Sequence, residues 1–381
     1  LMGIVSLMGD VVYEGSRGVV PSYLEFLGAT ALVVGLIGGL GDFLGYATRL
    51  VSGFLADTTR AYWLFIFLGY GLIVSIPLLG LPLGLEVAIV LVLLERLGKA
   101  FRSPSRDTVL SIIGKDVGAG KAFGIHELLD QIGGMLGPLI VAALMFSTNS
   151  YNITFSFLLL PFLALLVALA YTYKRISSKT MVAEVRRMEG EGGRLAKSFY
   201  VYTFAVLLNT VGLIPYTLIL YKASEILQPL GQGWIVPLIY LLIQGVDAPV
   251  ALLAGYAYDR FGVRVLLVPF LLSLFPPLLT MAEVQLSTLV AAAIFFGLVL
   301  GMQESIYRAA VSELAPVSSR GTAYGIFNTA YGVGFLISGA VYGLMMELRT
   351  TFTAVVFYVL TTQIVATVAL TSIRPELEKS K

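Results

Sequence analysis

The feature that most constrains this chain is a series of twelve apolar runs, each long enough for a helix that crosses a lipid bilayer. A spanning helix needs roughly 20 mostly apolar residues, and in lipid its backbone must satisfy its own hydrogen bonds. We therefore predict an all-α integral membrane protein with twelve transmembrane helices. The predicted spans lie at about residues 2–25, 30–56, 62–81, 84–101, 120–146, 152–173, 198–222, 233–257, 263–282, 287–311, 321–346 and 351–373.

The composition excludes several other classes of protein. Only 13% of the residues are charged, whereas a soluble domain carries about 25%. The absence of cysteine and the single histidine, His126, exclude a disulfide framework, a thiolate nucleophile and a multi-histidine metal site. A net charge of +2 does not suggest a nucleic-acid partner, and we predict neither a cofactor nor a resident metal. The chain begins with Leu, and no small-residue cleavage site follows the first run, so we expect a trimmed N-terminus and no signal peptide.

The Lys and Arg residues between the spans predict the orientation, because cytoplasmic loops of membrane proteins carry the positive excess. Of the 25 Lys and Arg residues, 19 fall in segments on one side of the predicted membrane and two on the other. An even number of spans places both termini on the same, basic side. We therefore predict a multi-pass protein of the cell (inner or plasma) membrane with both termini in the cytoplasm.

One long polar segment, residues 174–197, divides the predicted spans six and six. We expect it to be a solvated cytoplasmic linker, with a short amphipathic helix on the membrane surface as the alternative. The predicted domains are therefore an N-terminal six-helix bundle at 1–173 and a C-terminal six-helix bundle at 198–381.

The two halves share short sequence matches at a nearly constant offset. Gly53-x-x-x-Asp57 recurs as Gly255-x-x-x-Asp259, 202 residues later, and the pattern at 120–124 recurs 201 residues later. Each copy falls at the basic end of its predicted helix. The offset indicates a duplicated six-helix unit and predicts two pseudo-symmetric bundles, an arrangement that many secondary transporters use around a site at the midplane.

The sequences at the ends of the second and eighth spans resemble the loop signature of the major facilitator superfamily. In the first copy Thr58 replaces the usual base and Ala61 stands where glycine is expected, so we expect weaker latching there. The residues that carry the resemblance are Gly53, Asp57 and Arg60 in the first copy and Gly255, Asp259, Arg260, Gly262 and Arg264 in the second.

The fifth span carries a second resemblance, since Gly133-x-x-x-Gly137-Pro138 is similar to a motif that the family associates with antiporters. A prokaryotic branch of efflux permeases has a stretch similar to residues 95–107 followed by residues 123–126. The resemblance covers essentially the whole chain. It implies the fold of the superfamily, transport by alternating access, and antiport in the export direction.

The acids of the loop signature admit two interpretations. Asp57 and Asp259 could accept backbone N–H bonds at the N-terminus of a neighbouring helix, where the helix dipole is positive. Such a latch would bias the transport cycle if the contact exists in only one state. The alternative is that both acids only cap and solubilise tight turns.

The segment His126-Glu127-x-x-Asp130 has the spacing of a zinc-protease helix, but it ends in Asp, and the chain offers no second histidine. We therefore predict no enzyme and interpret the segment as a cytoplasmic gate or ion-pair network. A pH-sensing role for His126 and a part in a transition-metal pathway remain open as alternatives. The predicted gate residues of this region are Arg102, Arg106, His126, Glu127 and Asp130, with Lys121 as a further partner.

Ionisable residues inside spans are costly in lipid, so we expect each to face a cavity or a partner. Asp10, Glu14 and Arg17 are spaced i, i+4 and i+7, which places them on one face of the first helix. Eight acids within the spans stand against four arginines and His126, so ion pairs do not account for all the acids. The predicted proton- or substrate-binding residues are Asp10, Glu14, Arg17, Asp42, Arg49, Glu95, Arg96, Asp247, Glu304 and Arg308.

Two roles remain open for the acids that no arginine compensates. They could be held protonated in a dry site and act as proton carriers, or they could bind a cationic substrate. Asp10 is the strongest candidate because it lies deepest on the inward face of the first span, and Asp247 is the strongest in the second half. The expected structural pairs are Glu14 with Arg17, Asp42 with Arg49, and Glu304 with Arg308.

The leading functional hypothesis is a monomeric, proton-coupled exporter of a small organic or cationic compound, working by alternating access. Three alternatives remain. The protein could carry organic anions on its intramembrane arginines, or export a divalent metal ion on hard oxygen ligands. It could also be a receptor of the same fold that transports nothing.

Overall fold

The computed structural model describes residues 1–113, 119–180, 195–282, 285–316 and 319–373, and within this part of the chain all regular structure is helical. Lys115 and most of the predicted linker, residues 181–194, lie outside the described residues, as does the side chain of Lys121. The alternatives for the linker therefore stay predictions.

The first half of the chain forms nine helices over the described residues. Short breaks separate them, for example at Gly18, which is followed by Pro21 in the first turn of α2. The helices are α1 (Met2–Arg17), α2 (Val20–Phe26), α3 (Ala31–Thr59), α4 (Tyr62–Gly71), α5 (Ser75–Leu78), α6 (Leu85–Ile113), α7 (Ala119–Thr148), α8 (Tyr151–Phe157) and α9 (Leu159–Thr180), with a 3-10 turn at Leu72–Val74.

The second half continues the same pattern. Its helices are α10 (Lys197–Val211), α11 (Tyr216–Leu227), α12 (Val236–Phe261), α13 (Leu267–Leu272), α14 (Phe275–Met281), α15 (Leu286–Met302), α16 (Arg308–Leu314), α17 (Arg320–Glu347) and α18 (Phe352–Ser372). Two 3-10 segments lie at Gly233–Ile235 and Gly262–Leu266, and a π-helical turn at Gln303–Tyr307 joins α15 to α16.

Twelve transmembrane helices account for these elements. Eight helical segments of the described chain are long and apolar enough to cross a membrane, and Tyr62–Leu78 is a shorter apolar one. One of the eight, Gly233–Met281, contains two predicted spans that meet at Gly262, where the backbone turns at φ +67°. The first span and Leu85–Ile113 complete the twelve, and their inward charges explain why they are less apolar than the others.

Close contacts between Cα atoms divide the chain into two compact units. Unit 1 comprises Leu1–Gly28, Leu44–Arg186 and Leu230–Leu241, and unit 2 comprises Ala29–Phe43, Arg187–Pro229 and Leu242–Lys381. The first part of α3 therefore groups with the second half of the chain, and the start of α12 groups with the first half.

Unit 1 is built around the contact between α1 and α7. A Cβ atom on Gly137 of α7 would lie 2.6 Å from the Val11 carbonyl oxygen and 2.7 Å from the Gly15 nitrogen. Only glycine permits this approach of two helix backbones, as is common in membrane helix pairs. The contact fixes the inward face of α1 against α7.

Unit 2 contains a similar contact between the first part of α3 and α17. A Cβ atom on Gly35 or on Gly339 would overlap the backbone of the other residue. One turn later on α3 and one turn earlier on α17, a Cβ atom on Gly39 would meet the backbone at Phe335 and Leu336. Gly35, Gly39 and Gly339 therefore serve close helix packing within unit 2.

Candidate functional site

A cluster of charged side chains lies inside unit 1, between α1, α6 and α7. We call it the charged cluster. Its members are Asp10, Glu14, Arg17, Glu95, Arg96, Lys99, Arg102, Arg106, His126 and Asp130.

Glu14 is the most heavily engaged acid of the charged cluster. Its Oε1 lies 2.7 Å from Arg17 Nη1 and 3.4 Å from Lys99 Nζ, and its Oε2 accepts a hydrogen bond of 2.5 Å from the Tyr240 hydroxyl. Because Glu14 is buried, these partners replace the water that a carboxylate requires. Glu14 is therefore held as a compensated structural charge.

Glu95 extends this network on α6. Arg17 Nη2 lies 3.5 Å from Glu95 Oε1, and Arg96 Nε lies 3.6 Å from Glu95 Oε2. Arg17 thus contacts two carboxylates on different helices. The contacts join α1 to α6 through charges that compensate one another.

Tyr13 on α1 supplies an aromatic surface for three cations of the cluster. Lys99 Nζ and Arg102 Cζ each lie 4.7 Å from the ring centroid, and Arg17 Cζ lies 4.9 Å away. Arg102, only 2% exposed, also lies 5.0 Å from the centroid of Tyr70. Such contacts with an aromatic face stabilise a cation that has been removed from water.

Asp10 differs from Glu14, although it lies on the same face of α1 one turn earlier. Asp10 is 4% exposed, yet it forms no ion pair with any residue in the described part of the chain. A buried carboxylate without a cationic partner is costly when charged, and protonation or a bound cation removes that cost. Within the described residues, Asp10 therefore lacks the direct ion pairs that compensate Glu14.

A second part of the cluster lies one turn before Asp10 along α1. Arg106 Nη1 lies 3.4 Å from Asp130 Oδ2 and donates a hydrogen bond of 3.0 Å to Ser6 Oγ. His126 Nε2 lies 3.5 Å from the same Asp130 oxygen, and the Tyr70 hydroxyl is 3.0 Å from Ser6 Oγ. These residues join α1, α4, α6 and α7 in one polar group.

The glycines of the predicted antiporter motif lie against α1 beside this cluster. A Cβ atom on Gly133 would lie 2.8 Å from Asp10 Cβ and 2.6 Å from the Leu7 carbonyl oxygen, and Gly137 is in backbone contact with Gly15. Pro138 follows inside α7. The motif therefore brings the backbone of α7 against the part of α1 that carries Asp10.

The other predicted binding residues lie outside the charged cluster. Asp247 is buried on α12 beside Gly301, whose added Cβ atom would lie 3.1 Å from Asp247 Oδ1. Arg49 lies 5.3 Å from the Tyr46 ring centroid, and Asp42 is half-buried on α3. Glu304 in the π-helical turn and Arg308 at the start of α16 are exposed, and no ion pair between the two is among the contacts of the described residues.

The two copies of the loop signature have the same backbone conformation. Gly53–Asp57 lies in the last turns of α3 and Gly255–Asp259 in those of α12. Three residues after each acid the chain turns through a left-handed residue, Arg60 at φ +57° and Gly262 at φ +67°. Arg60 and Gly262 are 202 residues apart, the same offset that separates the two copies of the signature.

The acids of the loop signature are exposed in this structure. Asp57 accepts a hydrogen bond of 3.1 Å from the Tyr62 hydroxyl. No hydrogen bond or ion pair to another described residue is present at Asp259. Arg260 lies over the Phe261 ring at 5.3 Å, Arg264 is exposed, and Glu127 accepts a hydrogen bond from Gln131.

Unit 2 contains a polar site that charge counting misses, because its members are neutral. Asn209 Nδ2 donates to Ser273 Oγ at 3.1 Å and to Gln363 Oε1 at 2.8 Å. Asn209 Oδ1 accepts from Gln303 Nε2 at 3.2 Å and from the Tyr307 hydroxyl at 2.9 Å. We call this the neutral network. Amide side chains inside predicted spans are the sequence signal that could have identified it.

The neutral network is closed by further hydrogen bonds. The Tyr331 hydroxyl donates to Gln303 Oε1 at 2.7 Å, and Gln363 Nε2 donates to the Asn209 carbonyl oxygen at 3.0 Å. Gln303 and Tyr307 bound the π-helical turn, a local geometry that shifts side chains relative to an ordinary α-helix. The network therefore joins α10, the junction between α13 and α14, the π-helical turn, α17 and α18 without using charge.

Comparisons with known sequences agree with this architecture. A model of the Major Facilitator Superfamily matches residues 195–381. An uncharacterised protein of Mycobacterium tuberculosis (strain H37Rv) is 34% identical over 381 residues, which is 98% of this chain and 92% of that protein. An uncharacterised MFS-type transporter of Methanocaldococcus jannaschii is 25% identical over 366 residues, with 93% of this chain and 89% of that protein covered.

Solved structures share the fold at low sequence identity. The nucleoside transporter NupG superposes with a TM-score of 0.72 at 13% identity, covering 98% of this chain and 97% of that one. The inward-open xylose transporter XylE from E. coli gives a TM-score of 0.66 at 14% identity, covering 96% and 94%. The fold is that of secondary transporters that work by alternating access, and the chain belongs to the major facilitator superfamily.

Proposed function

We propose that the protein is a proton-coupled exporter of a small organic compound, cationic in its binding form, and that Asp10 is the proton- and substrate-binding carboxylate. One observation carries the proposal. Asp10 is buried without an ion pair among the described residues, whereas Glu14, one turn away, is bound by Arg17 and Lys99.

In the proposed cycle Asp10 binds either a proton or the cationic group of the substrate. Either partner removes the cost of the buried charge, so the site can close around it. In one state of the cycle Asp10 is accessible from the cytoplasm, and in the other it is accessible from outside. The proton gradient makes protonation of Asp10 more frequent in the outward-facing state than in the inward-facing state. Proton entry from outside is thereby exchanged for substrate leaving the cell.

The direction of transport and the orientation of the chain in the membrane are part of the same proposal. The excess of Lys and Arg in the loops on the Arg60 side supports a cytoplasmic location for that side and for both termini. The resemblance of Gly133, Gly137 and Pro138 to the antiporter motif supports export. We also propose that the protein is a monomer of the cell membrane, with duplicated bundles at 1–173 and 198–381 joined by a linker at 174–197.

The geometry gives less support to transport of organic anions. Arg17 contacts Glu14 and Glu95, and Arg96 contacts Glu95, so carboxylates already compensate two of the four candidate arginines. A metal substrate is also less favoured, since no group of three or more His, Asp or Glu side chains in the described ranges is arranged to hold a metal ion. We therefore retain the cation exporter as the proposal.

The first experiment identifies ligands. Purified protein is screened by thermal shift against a library of organic cations, organic anions and divalent metal salts at two pH values, because a ligand stabilises the state that binds it. We expect organic cations to raise the melting temperature, and to raise it more at the higher pH, where protons compete less for Asp10. Stabilisation by anions alone would contradict the proposal.

The second experiment measures flux. Hits from the screen are tested for uptake into proteoliposomes with and without a pH gradient, for wild type and Asp10→Asn. We expect gradient-driven accumulation in wild type and its loss in Asp10→Asn. Glu86→Gln, the same kind of change at an exposed acid in the first turn of α6, is the matched control and should transport normally. Flux that ignores both the gradient and Asp10→Asn would overturn the proposal.

A further inference from the structure

Of the two carboxylate oxygens of Asp130 on α7, one has ion-pair partners and the other has no hydrogen-bond partner among the described residues. Its Oδ2 lies 3.4 Å from Arg106 Nη1 and 3.5 Å from His126 Nε2. Its Oδ1 is buried and has no hydrogen-bond partner among the described residues. An oxygen in this position requires a proton of its own or a water molecule, because an unsatisfied buried polar atom is costly.

His126 shows the same incomplete bonding from the other side of the pair. The ring is 4% exposed, and its Nδ1 is buried with no partner in the described part of the chain, while Nε2 faces Asp130 and Ser6. A buried imidazole with one open nitrogen next to a carboxylate with one open oxygen forms a polar space fit for water. Both groups can bind protons.

The pair lies next to Asp10, and its acid is more exposed than Asp10. Asp130 is one turn before Gly133, and Gly133 packs against Asp10. Ser6, which contacts both His126 and Arg106, is one turn before Asp10 on α1, about 6 Å along the helix axis. The Asp130 side chain is 17% exposed, whereas Asp10 is almost fully buried. A water molecule hydrogen-bonded to both carboxylates would connect them.

We infer that Asp130 is a second proton-binding site, through which protons pass between Asp10 and the solution at the basic side. The inference rests on the proposed role of Asp10 and adds the route by which its proton is exchanged. His126 and Arg106 are positioning residues that hold Oδ2 and leave Oδ1 for the proton.

The transfer conserves protons and charge. The bridging water gives a proton to an Asp10 Oδ atom, and an O–H bond forms there. The same water takes the proton of the Asp130 Oδ1–H group, whose O–H bond breaks. Asp130 is left as a carboxylate facing Arg106, and a proton from solution restores its O–H bond. In the reverse sequence the Asp10 proton passes through Asp130 to the solution at the basic side.

Several charged or titratable groups surround the pair and are part of its electrostatics. They are Asp10 on α1, Tyr70 on α4, Lys99, Arg102, Arg106 and Asp107 on α6, and Glu127 on α7.

The test measures how fast Asp10 gains a proton. Purified full-length protein in nanodiscs is subjected to a rapid pH jump, and the carboxylic-acid C=O stretch is followed by infrared spectroscopy. The band that disappears in Asp10→Asn is assigned to Asp10. We expect Asp130→Asn to slow the rise of this band by about 100-fold, the effect typical of losing a positioned proton-transfer group, with the final amplitude retained.

Two variants separate transfer from structural damage. Asp130→Glu keeps a carboxyl group and should restore much of the rate, whereas Glu86→Gln, at an exposed acid in the first turn of α6, should leave it unchanged. An unchanged rate in Asp130→Asn, or a slow rate in Asp130→Glu as well, would overturn the relay while leaving the role of Asp10 intact. Absence of any Asp10 band at every pH would instead overturn the proposed function, and the relay with it.

Discussion

Unit 1 and unit 2 both bury polar side chains among apolar helices, but they use different chemistry. In the charged cluster of unit 1, Glu14 meets Arg17 and Lys99, while Asp10 beside it has no ion pair among the described residues. In the neutral network of unit 2, both polar atoms of the Asn209 side chain are engaged by neighbours on other helices.

The difference indicates a division of labour. A fully satisfied network of neutral groups holds helices in one arrangement and gains nothing from a change of protonation. A charged cluster with one uncompensated acid responds to a proton or a cation, because its balance of charge depends on what is bound. We therefore expect unit 2 to contribute rigidity and unit 1 to contribute coupling.

The largest expected effect tests whether the compensated part of the charged cluster is structural. Glu14→Gln leaves Arg17 and Lys99 buried beside a neutral side chain, and we expect it to lower the free energy of unfolding by about 4 kcal/mol. Thermal and SDS-induced unfolding of the detergent-solubilised protein measure the change. The matched variant is Asp10→Asn, which removes no ion pair and should cost about 1 kcal/mol or less. Equal losses in the two variants would erase the distinction between these acids.

The next effect concerns the neutral network. Asn209→Ala leaves the hydrogen-bonding groups of Gln303, Tyr307 and Gln363 without their central partner, and we expect a loss of about 3 kcal/mol. Asn152→Ala in unit 1 is the control, because Asn152 donates one hydrogen bond, to the Gly80 carbonyl oxygen at 3.0 Å. That change should cost about 1 kcal/mol or less. Ligand binding in Asn209→Ala should keep its pH dependence, and loss of that dependence would show that unit 2 shares the coupling role.

The smallest effect compares the two copies of the loop signature. Arg60 adopts the left-handed conformation that Gly262 adopts in the second copy. Arg60→Gly relieves that conformation and should raise the melting temperature, with a gain of about 0.5–1 kcal/mol. Arg60→Ala loses the same charge without the relief, and Gly262→Ala introduces the strain at the second copy, so both should be less stable than Arg60→Gly. A gain in Arg60→Ala as large as in Arg60→Gly would assign the effect to charge.

The fold can be predicted from this sequence because hydrophobic length is a local property. The apolar runs identify twelve helices, including the first span, where Asp10, Glu14 and Arg17 interrupt the pattern on only one face. The repeat of Gly53-x-x-x-Asp57 also identifies two positions whose backbones match in the structure.

The site is only partly accessible to the same reasoning. Helical spacing can bring Glu14 to Arg17, but nothing local links Glu14 to Lys99, which is 85 residues away, or to the Tyr240 hydroxyl. Counting charges overlooks Asn209, because an amide changes neither the net charge nor the span prediction. The left-handed Arg60 also escapes prediction, since arginine gives no signal for that conformation.

The most direct test of the account counts protons. A ligand identified by thermal shift is added to the protein in weakly buffered solution, and proton release is recorded with a pH indicator. We expect wild type to release about one proton per bound ligand at a pH where Asp10 is protonated, because the two compete for one carboxylate. Asp10→Asn should release none, and Glu86→Gln should behave as wild type. Undiminished proton release from Asp10→Asn at saturating ligand would contradict the claim that this buried acid couples protons to transport.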